Sequence, residues 1–91
     1  MMNLINFKTV VDRWALDKRP YVKQSTFAAY SLIIENHLLP FFGEYVEITE
    51  DMVQDFVLMK LAKGLSQKSV KDMIVVLKMV FRFGVKNGYW V

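Results

Sequence analysis

The residue types that carry out catalysis or bind metals are scarce in this chain. It has one histidine, His37, and no cysteine, whereas a zinc site or a nucleophilic triad needs several such groups together. His37 lies on the apolar side of a predicted helix, which is typical of a hydrogen-bonded core histidine. The carboxylates between Glu44 and Asp55 are spaced as in a solvated helix start rather than an acid/base pair. We therefore expect no catalytic residues, no metal ligands and no cofactor.

Two segments combine lysine with hydroxyl and amide side chains where a helix is predicted to begin. The first comprises Lys23, Gln24, Ser25 and Thr26, and the second comprises Ser66, Gln67, Lys68, Ser69 and Lys71. The amino end of a helix attracts phosphate through its free N–H groups and partial positive charge, and these side chains add donors and charge. The alternative is that Ser25 and Ser66 simply cap their helices. On these residues alone, capping and contact with a nucleic-acid backbone both remain open.

The distribution of charge adds to this pattern. The net charge is +3, yet residues 24–59 contain no lysine or arginine, and the basic side chains lie before and after them. In the last predicted helix, Lys71, Lys78, Arg82 and Lys86 fall on one narrow side, with Lys68 just before it. Such segregation favours one positive and one negative face, as expected of a protein that binds phosphate backbones, although an ordinary solvated surface is the simpler reading.

Hydrophobic periodicity predicts four helices that position these residues, at about residues 6–18, 25–38, 50–62 and 67–87. Ser25, Thr49 and Ser66 are the expected N-caps. Pro20 predicts an extended connector after the first helix, and Pro40 with Gly43 predicts that the second helix stops and a compact apolar loop follows. No segment alternates as a strand does, so we expect an all-α fold with one domain over residues 1–91.

Helical faces predict which side chains enter the core. The third helix should bury Met52, Val53, Phe56, Val57 and Leu61, and the fourth should bury Val70, Ile74, Leu77 and Phe81. Val76, Met79 and Phe83 then form a third flank of the last helix, which either packs against other helices or meets a partner. With the terminal aromatics, this flank is the surface of a rival hypothesis, a helical protein–protein interaction module.

Composition sets the class of protein. A hydrophobic fraction of 54% in 91 residues is sufficient for one small core. The absence of cysteine suits a reducing interior, and no apolar run is long enough to span a bilayer. We expect a cytoplasmic protein without a membrane partner.

Several short motifs, in this order and spacing, resemble a known family. They are KQST at residues 23–26 with Tyr30, HLLPFFG at 37–43, IT at 48–49 before Asp51, GLS at 64–66 with KSV at 68–70, and NG at 87–88. Together they resemble the N-terminal SAM-like, core-binding domain of tyrosine recombinases, or phage-type integrases. That resemblance implies a four-helix domain forming half of a clamp around recombination-site DNA, with its second and fourth helices near the major groove.

The resemblance also implies the function of the chain and what is missing from it. The DNA contacts would come from the two lysine-containing segments, and Lys78 and Arg82 extend them along the last helix. The family's catalytic residues belong to a separate C-terminal domain, which we expect to be absent here and to be a partner in the parent recombinase. We therefore expect a non-catalytic, double-stranded DNA-binding fragment of a protein for site-specific recombination and integration of mobile elements.

Overall fold

The computed structural model describes residues 5–90, and within them the chain is all-α. Helix α1 spans Phe7–Lys18, α3 spans Glu50–Ala62 and α4 spans Gln67–Lys86. Helix α2 begins with the α-helical part Gln24–Ile33, continues through a π-helical segment Ile34–Leu38 and ends with the α-helical turn Leu39–Phe42. No strand occurs between residues 5 and 90. The prediction of a four-helix, all-α fold is confirmed.

Three helices begin with a side chain that caps the backbone. Asn6 accepts a hydrogen bond from the N–H of Thr9 at 3.0 Å, at the start of α1. Thr49 and Ser66 begin α3 and α4 in the same way, as their sequence context predicted. Each cap satisfies one of the first-turn N–H groups that have no partner within the helix, which explains why these helices begin where they do.

The connector between α1 and α2 differs from the prediction. Residues Arg19–Tyr21 form a 3₁₀ turn, and Arg19 has helical φ and ψ of −50° and −42° although it precedes Pro20. Pro20 lies in the first positions of this turn, where its missing N–H costs no hydrogen bond. The backbone becomes extended only at Val22 and stays so at Lys23, so the extended connector is two residues long.

Both predicted ends of α2 were wrong. Lys23, not Ser25, is the N-cap residue, and no side chain caps the helix. At the other end, the helix continues through Pro40 to Phe42 instead of stopping before a loop. The π-helical segment explains this, because its wider turn bonds the N–H of Leu39 to the carbonyl of Ile34 and makes room for a proline ring that would clash in a regular α-helix.

The loop after α2 holds the first turn of α1. The N–H of Phe7 donates to the carbonyl of Tyr45 at 2.8 Å, and the N–H of Lys8 donates to the carbonyl of Gly43 at 3.1 Å. These bonds satisfy two further amides that α1 cannot satisfy internally. The loop is therefore part of the packed structure, as the apolar character of this segment predicted.

The core forms where α1, α2 and α3 pack against α4. Its largest fully buried side chains are Trp14, Phe7, Phe42, Phe56 and Leu38. Gly84 lets α1 approach α4 closely, because a Cβ atom there would lie only 3.3 Å from the Val10 side chain. Trp90 returns to this core, stacks on Phe7 at 5.9 Å and donates from its indole N–H to the carbonyl of Ile5 at 2.9 Å.

The face predictions for α3 and α4 need correction. On α3, Phe56 is fully buried as predicted, but Leu61 is exposed and Lys60 takes the buried position before it. On α4, Ile74 and Phe81 are only half-buried. The buried side of α4 is instead formed by Val70, Met73, Val76, Leu77, Val80 and Gly84. The flank expected around Val76 therefore belongs largely to the core, since α1 and α2 pack on that side.

Candidate nucleic-acid interface

The first candidate segment is the amino end of α2, which we call the α2 entrance and define as Lys23, Gln24, Ser25 and Thr26. The first three side chains are exposed and Thr26 is half-buried. Lys23 has an extended conformation, and its carbonyl accepts the first helical hydrogen bond from the N–H of Phe27 at 2.9 Å. No side chain caps this helix, so its first-turn amides have no side-chain partner and lie close to the exposed Lys23, a combination that suits an anion.

The core fixes the position of the α2 entrance. Phe27 stacks on Trp14 with ring centroids 5.9 Å apart and an interplanar angle of 16°. Arg19 and Gln24 line a shallow depression beside Phe27. Arg19 is exposed and adds a guanidinium to this end of α2. Sequence reasoning missed Arg19, because the predicted extended connector would have carried it away from the helix.

The second candidate segment is the amino end of α4, comprising Ser66, Gln67, Lys68, Ser69 and Lys71, all exposed. Here the hydroxyl groups are occupied. The Ser66 hydroxyl accepts from the N–H of Ser69 at 3.1 Å and donates to the Ser69 hydroxyl at 3.0 Å. The preceding turn is also fixed, because the N–H of Leu65 donates to the carbonyl of Lys60 and Gly64 has a positive φ of 92°. Ser66 therefore has the capping role that was one of the two alternatives.

Basic side chains continue from this end along the outside of α4. We call Lys68, Lys71, Lys78, Arg82 and Lys86 the basic stripe; all five are exposed. At about 100° per residue the stripe falls on the side of α4 opposite to its buried residues, and at about 1.5 Å per residue it extends for about 27 Å. A rigid helix therefore presents a row of cations to solvent.

An open cleft of about 480 Å³ lies beside the carboxyl-terminal half of the stripe. Val22, which immediately precedes the α2 entrance, lines this cleft together with Arg82 and Lys86. Lys18 lies on its rim, close to Asp17 at 3.8 Å. The two candidate segments thus lie towards opposite ends of the stripe, and the stripe connects them across the molecule.

An acidic side chain reaches one edge of the stripe. Glu50 lines a largely apolar groove together with Lys78, between the start of α3 and the middle of α4. The expected division into a positive and a negative face is therefore not a clean one at this edge. Between residues 5 and 90, no group of three or more His, Asp or Glu side chains is arranged to hold a metal ion.

His37 forms an unusual pair with a lysine. Lys60, only 8% exposed, donates from Nζ to Nδ1 of His37 at 3.0 Å and lies 5.5 Å from the centre of the Phe56 ring. Burial lowers the pKa of both side chains below their ordinary values; the Lys60 charge lowers the pKa of His37 further, and the Lys63 charge does the same to Lys60. Because Nδ1 of His37 accepts this hydrogen bond, it carries no proton. His37 is therefore hydrogen-bonded, as expected, and its partner is the buried ammonium group of Lys60.

Comparison with known families identifies the domain. Residues 6–61, more than half of the chain, match the family described as phage integrase, N-terminal SAM-like domain. The chain belongs to this family. No curated protein and no solved structure matches the sequence.

The family match covers only the first part of the integrase domain. The matched range contains α1, α2 with its entrance, and α3 up to Leu61. Helix α4 and the basic stripe lie beyond it, as do the motifs at residues 64–70 and 87–88. For these the spatial arrangement, rather than the family match, is the basis for interpretation.

Ten of the eleven residues predicted to contact DNA are exposed in the integrase domain, and Thr26 is half-buried. Two features escaped the prediction besides Arg19. Lys18 lies on the rim of the cleft that joins α2 to α4, which only the packing of α1 against α4 reveals. Val75 lies within the basic stripe and is 50% exposed; its position among the cations could have been read from the helical spacing.

No helix between residues 5 and 90 is long and apolar enough to cross a membrane.

Proposed function

We propose that this integrase N-terminal domain binds double-stranded DNA as the core-site recognition domain of a tyrosine recombinase. The parent protein would act in site-specific recombination and in the integration of mobile elements. The observation that carries this proposal is the basic stripe, whose five exposed cations lie opposite the buried side of α4. Its last two members, Arg82 and Lys86, line a cleft together with Val22, which immediately precedes the amino end of α2. Rows of cations on a rigid helix are suited to phosphate backbones.

Phosphate contacts would set the position of the domain on DNA. Lys68, Lys71, Lys78 and Arg82 supply charge from α4, and Lys23 and the uncapped amides supply it from α2. The stripe is longer than the major groove is wide, at roughly 12 Å, so its cations can reach the phosphates on both sides of the groove. Gln24 and Gln67, which can donate and accept hydrogen bonds, are the side chains expected to add a limited sequence preference.

The domain would bind DNA without cleaving it. The reaction would belong to a C-terminal catalytic domain of the parent recombinase, and this N-terminal domain would hold the DNA on the opposite side. Because half of a clamp neutralises few phosphates, the isolated domain should bind weakly and with a strong dependence on salt.

The rival proposal of a protein-interaction module loses most of its expected surface. Val76 is 2% exposed and Trp90 is 6% exposed, so neither side chain is free to meet a partner. Met79 and Phe83 are half-buried and line the cleft whose rim carries Arg82 and Lys86. Met79 and Phe83 thus share one cleft with two cations of the stripe instead of forming a separate apolar surface.

The experiment is a titration of a fluorescently labelled DNA duplex with the domain, followed by anisotropy at low and at physiological salt. The wild type should bind, with a dissociation constant that rises steeply with salt. Lys68→Glu with Lys71→Glu should abolish binding without changing the melting temperature, since both side chains are exposed.

The matched control is Lys8→Glu with Arg13→Glu, two exposed basic residues of α1 whose reversal changes the net charge equally. It should retain most of the binding, apart from a small general effect of charge. Equal losses in the two double variants would mean that DNA responds only to net charge. Absence of binding by the wild type at low salt would refute the proposed function.

A further inference from the structure

Val75 is an apolar side chain surrounded by the basic stripe. It is 50% exposed on the outer side of α4, where Lys71 precedes it by one turn and Lys78 follows it by one turn. Single exposed apolar side chains are common and need no explanation on their own. The position of Val75 is what distinguishes it, because basic residues of the stripe flank it on both sides along this face of α4.

The helix places Val75 midway between the ends of this surface. Lys68 precedes it by seven residues and Arg82 follows it by seven. Seven residues are almost two full turns, so all three side chains leave the helix in nearly the same direction, with about 10 Å between neighbours along the axis. Asp72, the acidic residue of α4, lies about 60° around the helix from Val75. The arrangement has cations at both ends and a hydrocarbon side chain at its centre.

These dimensions fit a DNA major groove. The groove is roughly 12 Å wide and bounded by two phosphate backbones. Lys68 and Arg82 are about 21 Å apart along α4, which is far enough for each to lie at a different backbone. With the end cations against opposite backbones, the central residue faces the edges of the base pairs. The charge of the surrounding side chains commits this surface to a polyanion rather than to an apolar protein partner.

We propose that Val75 contacts the C5 methyl group of thymine in the major groove and gives the domain a preference for thymine at that position. A valine side chain forms no hydrogen bonds, so the base feature that it can recognise is apolar, and thymine is the base that carries a methyl group at that edge. This inference rests on the proposed function, because it requires α4 to lie in the major groove of duplex DNA.

The test compares two duplexes that differ only in this methyl group. One is a 20-base-pair duplex of alternating A·T pairs, and the other has every thymine replaced by uracil. Wild-type domain should bind the thymine duplex about fourfold more tightly at low salt, the effect expected for burial of one methyl group. Val75→Ala should bind both duplexes equally, with the affinity that the wild type has for the uracil duplex.

Val85→Ala is the matched control. Val85 is 42% exposed on the same helix and lies beyond Arg82, so its loss should leave the fourfold preference intact. Both variants place a better helix-forming residue at an exposed position and should melt no lower than the wild type.

The outcomes separate this inference from the function on which it rests. If the wild type binds both duplexes equally, or if Val75→Ala keeps the preference, thymine recognition by Val75 is refuted while DNA binding stands. If the wild type binds neither duplex at low salt, the proposed function fails and this inference fails with it.

Discussion

The amino ends of α2 and α4 contain the same kinds of residue but are built differently. At α4, the Ser66 hydroxyl accepts from a backbone N–H at 3.1 Å and is fully engaged in capping. At α2, Lys23 occupies the cap position, no side chain bonds to the first-turn amides, and Ser25 lies exposed within the first turn. Similar composition is therefore used differently: the Ser66 side chain caps α4, whereas the first-turn amides of α2 have no side-chain partner.

The two regions also differ in how they would contact DNA. The α2 entrance offers backbone N–H groups, which are fixed by Phe27 stacking on Trp14. Helix α4 offers long side chains along a rigid helix, and its capped end contributes charge rather than free amides. Variants in each region can separate its contribution to stability from its contribution to binding.

The largest effect should come from the aromatic core behind the α2 entrance. Trp14 is 1% exposed and packs against Phe27 and Tyr30, so Trp14→Ala should lower the free energy of unfolding by about 3 to 5 kcal/mol. Phe56→Ala should cost a similar amount, because Phe56 is fully buried against Phe41 and Phe42. Chemical denaturation followed by circular dichroism measures both effects.

Trp14→Phe is the informative control. The buried indole N–H has no hydrogen-bond partner among the described residues, so the phenyl ring keeps part of the stacking and removes an unsatisfied donor. The loss should be clearly smaller than for alanine. A Trp14→Ala protein with unchanged stability would contradict the core assignment.

Removal of each serine should show the difference between the two helix starts directly. Ser66→Ala should destabilise the domain by about 1 kcal/mol, since it removes the cap of α4. Ser25→Ala should change stability very little, because Ser25 caps nothing. Thermal melts of the two variants at the same pH make the comparison, and equal losses would show that the starts are not built differently.

Mild acid should weaken the contact between His37 of α2 and Lys60 near the end of α3. The folded-state pKa of His37 is lowered, chiefly by burial and then by the Lys60 charge. The unfolded chain therefore takes up the proton first, and the free energy of unfolding should fall as pH drops below the ordinary imidazole value of about 6.5. The contribution is complete above that value and disappears as pH passes below the folded-state pKa.

The matched variant for this pH effect is His37→Gln, whose side-chain oxygen can still accept from Lys60 but does not titrate. Its stability should change less than that of the wild type between pH 7.5 and 5.5, in a series of denaturation curves. Identical pH profiles for the two proteins would assign the acid sensitivity to other groups.

The smallest effects should come from single phosphate contacts. Lys23→Ala and Lys71→Ala should each reduce the slope of log K against log salt by about 0.9, the loss of one neutralised phosphate. Lys8→Ala, on the outside of α1, should leave the slope unchanged. If only Lys23→Ala or only Lys71→Ala changes the slope, then only the region that contains this residue contacts the DNA backbone.

Sequence reasoning predicted the helices whose signals are local. Thr49 and Ser66 act through bonds within a single turn, so their context was enough to locate the starts of α3 and α4. The failures have tertiary causes. A π-helical segment lets α2 pass through Pro40, and the rotation of α4 against α1 and α2 puts Val76 in the core. Periodicity defines a helical face but not the direction from which neighbours approach it.

The candidate site was predicted by residue type more completely than by arrangement. The exposed residues of both segments follow from charge and spacing. The cleft that links Val22 to Arg82 does not, since it requires the packing of α1 on α4. The burial of Lys60 against His37 was equally invisible, because lysine is assigned to the surface unless a partner is known.

The most direct test of a single DNA-binding surface is a titration of the ¹⁵N-labelled domain with a short duplex at low salt, followed by NMR amide shifts. Shifts should concentrate at residues 23–27 and along the basic stripe from Lys68 to Arg82, while the exposed side of α1 around Lys8 and the middle of α3 around Leu58 stay unchanged. Shifts concentrated on α1 or α3, or no shifts at any protein-to-DNA ratio, would contradict this single surface.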